Sequence, residues 1–135
     1  MRWGPRIMLP SNTARIRHLF LTAGASAFWQ DGQPVTSLET RVPLRRLLSA
    51  LVRQRMHSPN QPLSVQAAFE EGWPGERAHP DAAATRVYTA IFSLRRLGLR
   101  GLLVRRRGGY MLDAEVSVTR NPDEVITQVI EAIAV

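Results

Sequence analysis

The residues best able to do chemistry in this chain are arginines. From Ala82 to Leu112 there is no Asp or Glu, while Arg86, Arg95, Arg96, Arg100, Arg105, Arg106 and Arg107 all fall in that window. Arginine presents a planar fork of donors that matches phosphate oxygens and guanine edges. An uninterrupted basic segment is the usual footprint of a polyanion binder, against the simpler reading of a solvated charge run. From Asp113 onward the balance reverses, with Asp113, Glu115, Asp123, Glu124 and Glu131 against Arg120. All 18 basic residues are arginine, and the net charge is +7.

Other chemistries find little support. With no cysteine, disulfide scaffolds, thiolate-ligated metals and thiol catalysis are excluded. His18, His57 and His79 do not share a metal-ligand spacing, so no metal site and no cofactor is expected. Gly108-Gly109 lacks the following helix and the Lys-Ser/Thr pair of a phosphate loop. No nucleophile and base pair up, and the chain reads as a non-enzyme. No apolar run approaches the ~20 residues of a membrane span, and no secretory signal is legible at the start. A cytoplasmic protein is the expectation.

The elements that must position the arginines follow from periodicity. Leu19 to Leu21 and Ala27 to Trp29 favour strands, and Asp31-Gly32 is a turn signal between Trp29 and Val35. Leu44, Leu47, Leu48, Leu51 and Val52 form one helical stripe, with Thr40 as cap and Pro43 in the first turn. Ser64 opens a second helix that stops at Gly72 and Pro74. A third helix is expected from about Asp81 to Leu97, stopped by Gly98. At ~100° per residue, its Ala84, Val87, Ile91 and Leu94 share one face, and Thr85, Thr89, Phe92, Ser93 and Arg96 share the opposite one. Two strands then flank an Arg107-Gly108-Gly109 turn. Trp29 and Trp73 are assigned to the core. A last helix starts at Asn121 and Pro122, with Val125, Ile126, Val129, Ile130 and Ile133 as its apolar stripe.

Two helices joined by a turn and followed by a basic hairpin describe a winged helix-turn-helix. The chain resembles the effector domain of OmpR/PhoB-type response regulators, also found in antibiotic-regulatory activators. The matching residues are Leu63-Ser64, Trp73, the series Val87, Ile91, Leu94 and Arg95, and Arg106 through Tyr110. The resemblance implies an α+β fold with an N-terminal antiparallel sheet, a three-helix core and a C-terminal hairpin wing. It spans residues 16–113, with 1–15 as an N-terminal arm and 114–135 as a linker and an extra amphipathic helix. It also implies sequence-specific binding of duplex DNA in bacterial transcription regulation. The third helix would enter the major groove, and the wing would reach the minor groove or backbone. Thr85, Tyr88, Phe92 and Ser93 match recognition positions, and Arg106 a wing position. Arg86, Arg96 and Thr89 join them as backbone contacts, and Arg105 and Arg107 flank the wing position. Tyr110 is partly structural in that family.

The chain departs from the pattern in two ways. Phe92 and Ser93 stand where family members often carry arginine. Phe92 has three readings: a thymine-methyl contact, an anchor for a protein partner, or a core residue. The second gives the alternative function, a degenerate winged-helix interaction module that does not bind DNA. There is also no receiver domain, so the chain is expected to be a standalone regulator, a fragment or part of a larger assembly. Arg95 is expected to pair with Glu70 or Glu71. The last helix would pack on the N-terminal sheet, make a homodimer contact or begin a further domain.

Overall fold

Alternation of side chains builds the first sheet. In β1 (His18–Leu21), Leu19 and Leu21 turn inward and are fully buried. His18 and Phe20 occupy the outer face. β2 (Ala27–Gln30) returns antiparallel with Phe20 opposite Trp29. The rings stack along that outer face, His18 on Phe20 at 4.3 Å and Phe20 on Trp29 at 5.5 Å. Trp29 is thus a half-buried outer-face residue rather than a core one, because its neighbour Phe28 takes the inward position. β3 (Thr36–Ser37) adds an antiparallel edge. The computed structural model describes residues 17–120; the expected N-terminal arm and C-terminal helix lie outside the described residues.

α1 (Val42–His57) buries Leu44, Leu47, Leu48, Leu51 and Val52, the expected stripe. Its cap is Arg41, not Thr40, and makes no side-chain cap bond. The Arg41 amide closes a turn onto the Leu38 carbonyl at 3.0 Å, which leaves Thr40 inside the turn. Two-residue β4 (Leu63–Ser64) leads into α2 (Val65–Gly72), where the Ser64 hydroxyl accepts from the Ala67 amide at 3.0 Å. Trp73 stacks on Phe69 at 5.4 Å and packs against the core. α3 (Pro80–Leu94) is capped by His79, whose ring accepts from the Asp81 amide. The helix buries Val87, Ala90, Ile91 and Leu94.

The regular helix ends before the expected Leu97. A wider, π-type turn follows over Arg95–Leu99, closed by Gly98 at φ 132°. The turn brings Leu99 into the core together with Leu94. β5 (Leu103–Arg106) and β6 (Gly109–Leu112) form the hairpin, and β6 also pairs with β4. The loop is the two residues Arg107 and Gly108, at φ 39° and 79°. Positive φ at both positions matches the right-handed twist of a two-residue hairpin. Gly109 is therefore not part of the turn; it lies in the strand, opposite Ser64 and Arg106.

The segment read as linker contains a strand. β7 (Ser117–Arg120) pairs parallel with β1, His18 against Ser117, so the first sheet runs β3-β2-β1-β7. The hairpin sheet runs β4-β6-β5. With three α-helices and two sheets, the described residues form an α+β fold around one hydrophobic cluster that draws on both sheets. Among them, no helix is long and apolar enough to cross a membrane.

Two arginines hold the hairpin exit in place. The Arg55 guanidinium, at the end of α1, donates to the carbonyls of Asp113 at 2.8 Å, Ala114 at 3.0 Å and Val116. Hydrogen bonds from a charged group contribute about 1.5–3 kcal/mol, and carbonyls left without partners add a penalty. Arg55→Met keeps the apolar stem and loses the fork, so it should lower stability by about 2 kcal/mol, or roughly 7–9 °C in Tm for a domain of this size; thermal melting by circular dichroism measures this. Arg17 pairs with Asp113 at 3.1 Å and also donates to the Gly101 carbonyl. The Asp113 carboxyl is held below its usual range, first by the Glu115 amide it accepts from; burial opposes this, and Arg17 and the charge of Arg106 lower it further. A depressed carboxyl stabilises the fold above its unfolded pKa near 4 and ceases to as pH falls through the folded value. Wild type should therefore lose slightly more stability than Asp113→Asn when urea melts are taken from pH 5 down to pH 3. For a partly exposed pair the difference stays below about 1 kcal/mol.

Candidate functional site

α3 presents two adjoining outward strips. Thr85, Thr89 and Ser93 repeat every fourth residue and line a groove with Arg41 and Pro43 at the start of α1 and Trp73 at the end of α2. Tyr88 and Phe92 form the second strip, on the hairpin side, and are 42% and 58% exposed. The helix phase expected from the apolar face therefore holds, and the core reading of Phe92 is excluded. The Thr85 hydroxyl donates back to the Asp81 carbonyl at 2.9 Å. Arg86 is held by Glu76 at 2.6 Å, so its charge is already compensated on the surface.

The hairpin divides its arginines between two faces. Period-two alternation puts Arg105 on the side of Leu103 and Arg106 on the side of Val104. Arg105 leans over Tyr88 at 5.6 Å and over Tyr110 at 5.7 Å. Tyr88 and Tyr110 meet edge to face at 6.5 Å, and Tyr110 is buried. This stack ties the hairpin to α3, since a guanidinium over a ring contributes about 0.5–1 kcal/mol at exposed sites. Arg106 and Arg107 line a hollow on the far face with Pro62, Met111 and Asp113. Arg106 also borders a groove of about 520 Å³ between hairpin and helix, with Phe92, Arg95, Arg100 and Arg105. Arg96 stacks on the Phe92 ring at 5.8 Å.

Arg95 makes no ion pair with Glu70 or Glu71. Its Nε and Nη2 both donate to the Leu103 carbonyl, at 3.1 and 3.0 Å, and its guanidinium lies over Tyr110. Glu71 pairs with Arg53 instead. Among the described residues, arginine ion pairs form at Arg17–Asp113, Arg53–Glu71 and Arg86–Glu76, and none of them involves Arg96, Arg100, Arg105, Arg106 or Arg107.

Of the ten predicted site residues, the structure brings together Tyr88, Phe92, Arg96, Arg105 and Arg106 around the helix–hairpin groove. Thr85, Thr89 and Ser93 form the neighbouring strip, Arg107 sits at the hairpin tip, and Arg86 is engaged with Glu76. Arg100 was not singled out; its place in the acid-free window was the available signal. The surface so formed can attract a polyanion and offer it two aromatic rings. Comparisons of the chain with protein-family models, with curated proteins and with solved structures return no match.

Proposed function

We propose that this chain is a winged helix-turn-helix protein that binds duplex DNA and regulates transcription in the cytoplasm without catalysis. α2 and α3 are the helix-turn-helix, and the β5–β6 hairpin is the wing. α3 lies in the major groove, whose width of about 12 Å accepts one helix. Arg105, Arg106 and Arg107 hold the wing on the backbone or in the adjacent minor groove. The observation that carries this reading is the shared surface: Phe92 and three arginines that form no ion pair among the described residues, Arg100, Arg105 and Arg106, border one groove, with Arg96 stacked on Phe92 and Tyr88 under Arg105 beside it. The resemblance to OmpR/PhoB-type effector domains points the same way.

A second reading has one observation in its favour. Phe92 at 58% exposure is a large apolar side chain on an otherwise polar helix face, as a protein-partner anchor would be. Fluorescence anisotropy with random-sequence duplex separates the two. DNA binding predicts affinity that falls linearly on a log–log plot against salt, by ~0.9 per phosphate contacted. Absence of binding even at ~50 mM salt, where such contacts are strongest, would overturn the DNA reading in favour of the partner module.

A further inference from the structure

We propose that α3 recognises thymine by its 5-methyl group, with Phe92 as the reading side chain. This rests on the DNA-binding function above and specifies what that surface reads. The bidentate groups that usually read a purine are missing from α3 between Thr85 and Ser93 or already engaged. Guanine is usually read by a bidentate Arg or Lys, and adenine by Asn or Gln. From Thr85 to Ser93 the helix carries no Asn, Gln or Lys, and its single arginine, Arg86, is committed to Glu76 at 2.6 Å. The Thr85 hydroxyl is spent on the Asp81 carbonyl.

The most exposed apolar side chain of α3 is instead Phe92, in its last turn, flanked by Thr89 one turn back and by Arg96 in the π-type turn that follows. The Arg96 guanidinium lies 5.8 Å from the ring centre. That stack covers one part of the ring and sets a cation beside it. In the major groove, the feature of a base pair that an aromatic ring can recognise is the C5 methyl of thymine. The charge of Arg96, Arg100 and Arg105 around the ring suits a polyanion as the occupant of this apolar spot, rather than an apolar protein surface.

The test begins with selection of a preferred site from a random duplex library by the full chain. Each thymine of that site is then replaced singly by uracil, which removes only the methyl group. Wild type should lose about fourfold in affinity at one or two positions, the equivalent of the ~0.8 kcal/mol typical of one buried methyl-sized group. Phe92→Ala should bind more weakly and show no loss at those same positions. Phe92 is exposed, so this variant should fold, and an unchanged thermal transition verifies it.

Neutral uracil substitutions throughout would overturn the proposal, as would an undiminished uracil effect in Phe92→Ala. A library that yields no preferred site, with salt-dependent binding to random duplex retained, would overturn thymine reading and leave DNA binding standing. Failure to bind any duplex at low salt would overturn both.

Discussion

Alanine in place of Arg105, Arg106 and Arg107 together should weaken binding to random duplex about 100-fold at ~0.15 M salt. Three lost phosphate contacts make the log–log salt slope shallower by about 2.7, and extrapolating that difference from 1 M to 0.15 M gives the 100-fold. The variant and the wild type should converge as salt approaches ~1 M, because the lost term is counterion release. The fold should survive. All three side chains are exposed, and the side-chain hydrogen bond among them runs from Arg106 to the neighbouring Arg105 carbonyl. Arg107 already holds φ 39°, so alanine adds no new backbone strain there. Anisotropy titrations at four or more salt concentrations measure the slope. Arg86→Ala is the internal contrast: its guanidinium is already compensated by Glu76, so the slope should change by well under one unit.

The largest effect on stability is expected at Gly109. Ser64 pairs with it in the β4–β6 ladder. A Cβ built there would lie 2.9 Å from the Leu63 carbonyl carbon and closer still to its oxygen. The obstacle is backbone, which cannot rotate away as a side-chain tip can. Gly109→Ala must therefore separate β4 from β6, and β4 is the residue pair that leads into α2 and supplies its Ser64 cap. Overpacking of this kind costs about 1–3 kcal/mol, and loss of the cap adds ~1 kcal/mol. Urea unfolding should show a drop of about 3 kcal/mol. Gly108→Ala is the contrast: no atom lies within 4 Å of its added Cβ, so its cost comes only from φ 79°, about 1–2 kcal/mol.

These particulars also show which features could be read in the chain and which could not. The α1 stripe, the Ser64 cap, the α2 stop at Gly72 and the phase of α3 are local, and each was legible from spacing within a turn or two. The outward place of Phe92 followed from that phase. The parallel pairing of β7 with β1 joins opposite ends of the described chain, and a four-residue strand of Ser, Val, Thr and Arg carries no signal of its partner. Gly109 looked like a turn residue because two adjacent glycines suit a hairpin; its true constraint comes from Leu63, far away in sequence. Arg55 and Arg95 bind backbone carbonyls rather than carboxylates. Charge complementarity among side chains could not have revealed acceptors that every residue possesses. The site was half legible for the same reason: the acid-free window named its arginines, whereas the engagement of Arg86 and the stacking of Arg105 on two tyrosines depend on tertiary contacts.

The most direct test of the central claim is an amide NMR titration of the full chain with duplex DNA at low salt. A single DNA-binding surface on α3 and the wing predicts shifts concentrated in Thr85 through Arg96 and Arg105 through Tyr110, moving together with one binding curve. A separate groove lies between α2 and the start of α3, lined by Val65, Phe69 and Ala83, and it should remain still. Shifts confined to that groove or to the outer face of the first sheet, or no shifts at all, would contradict it.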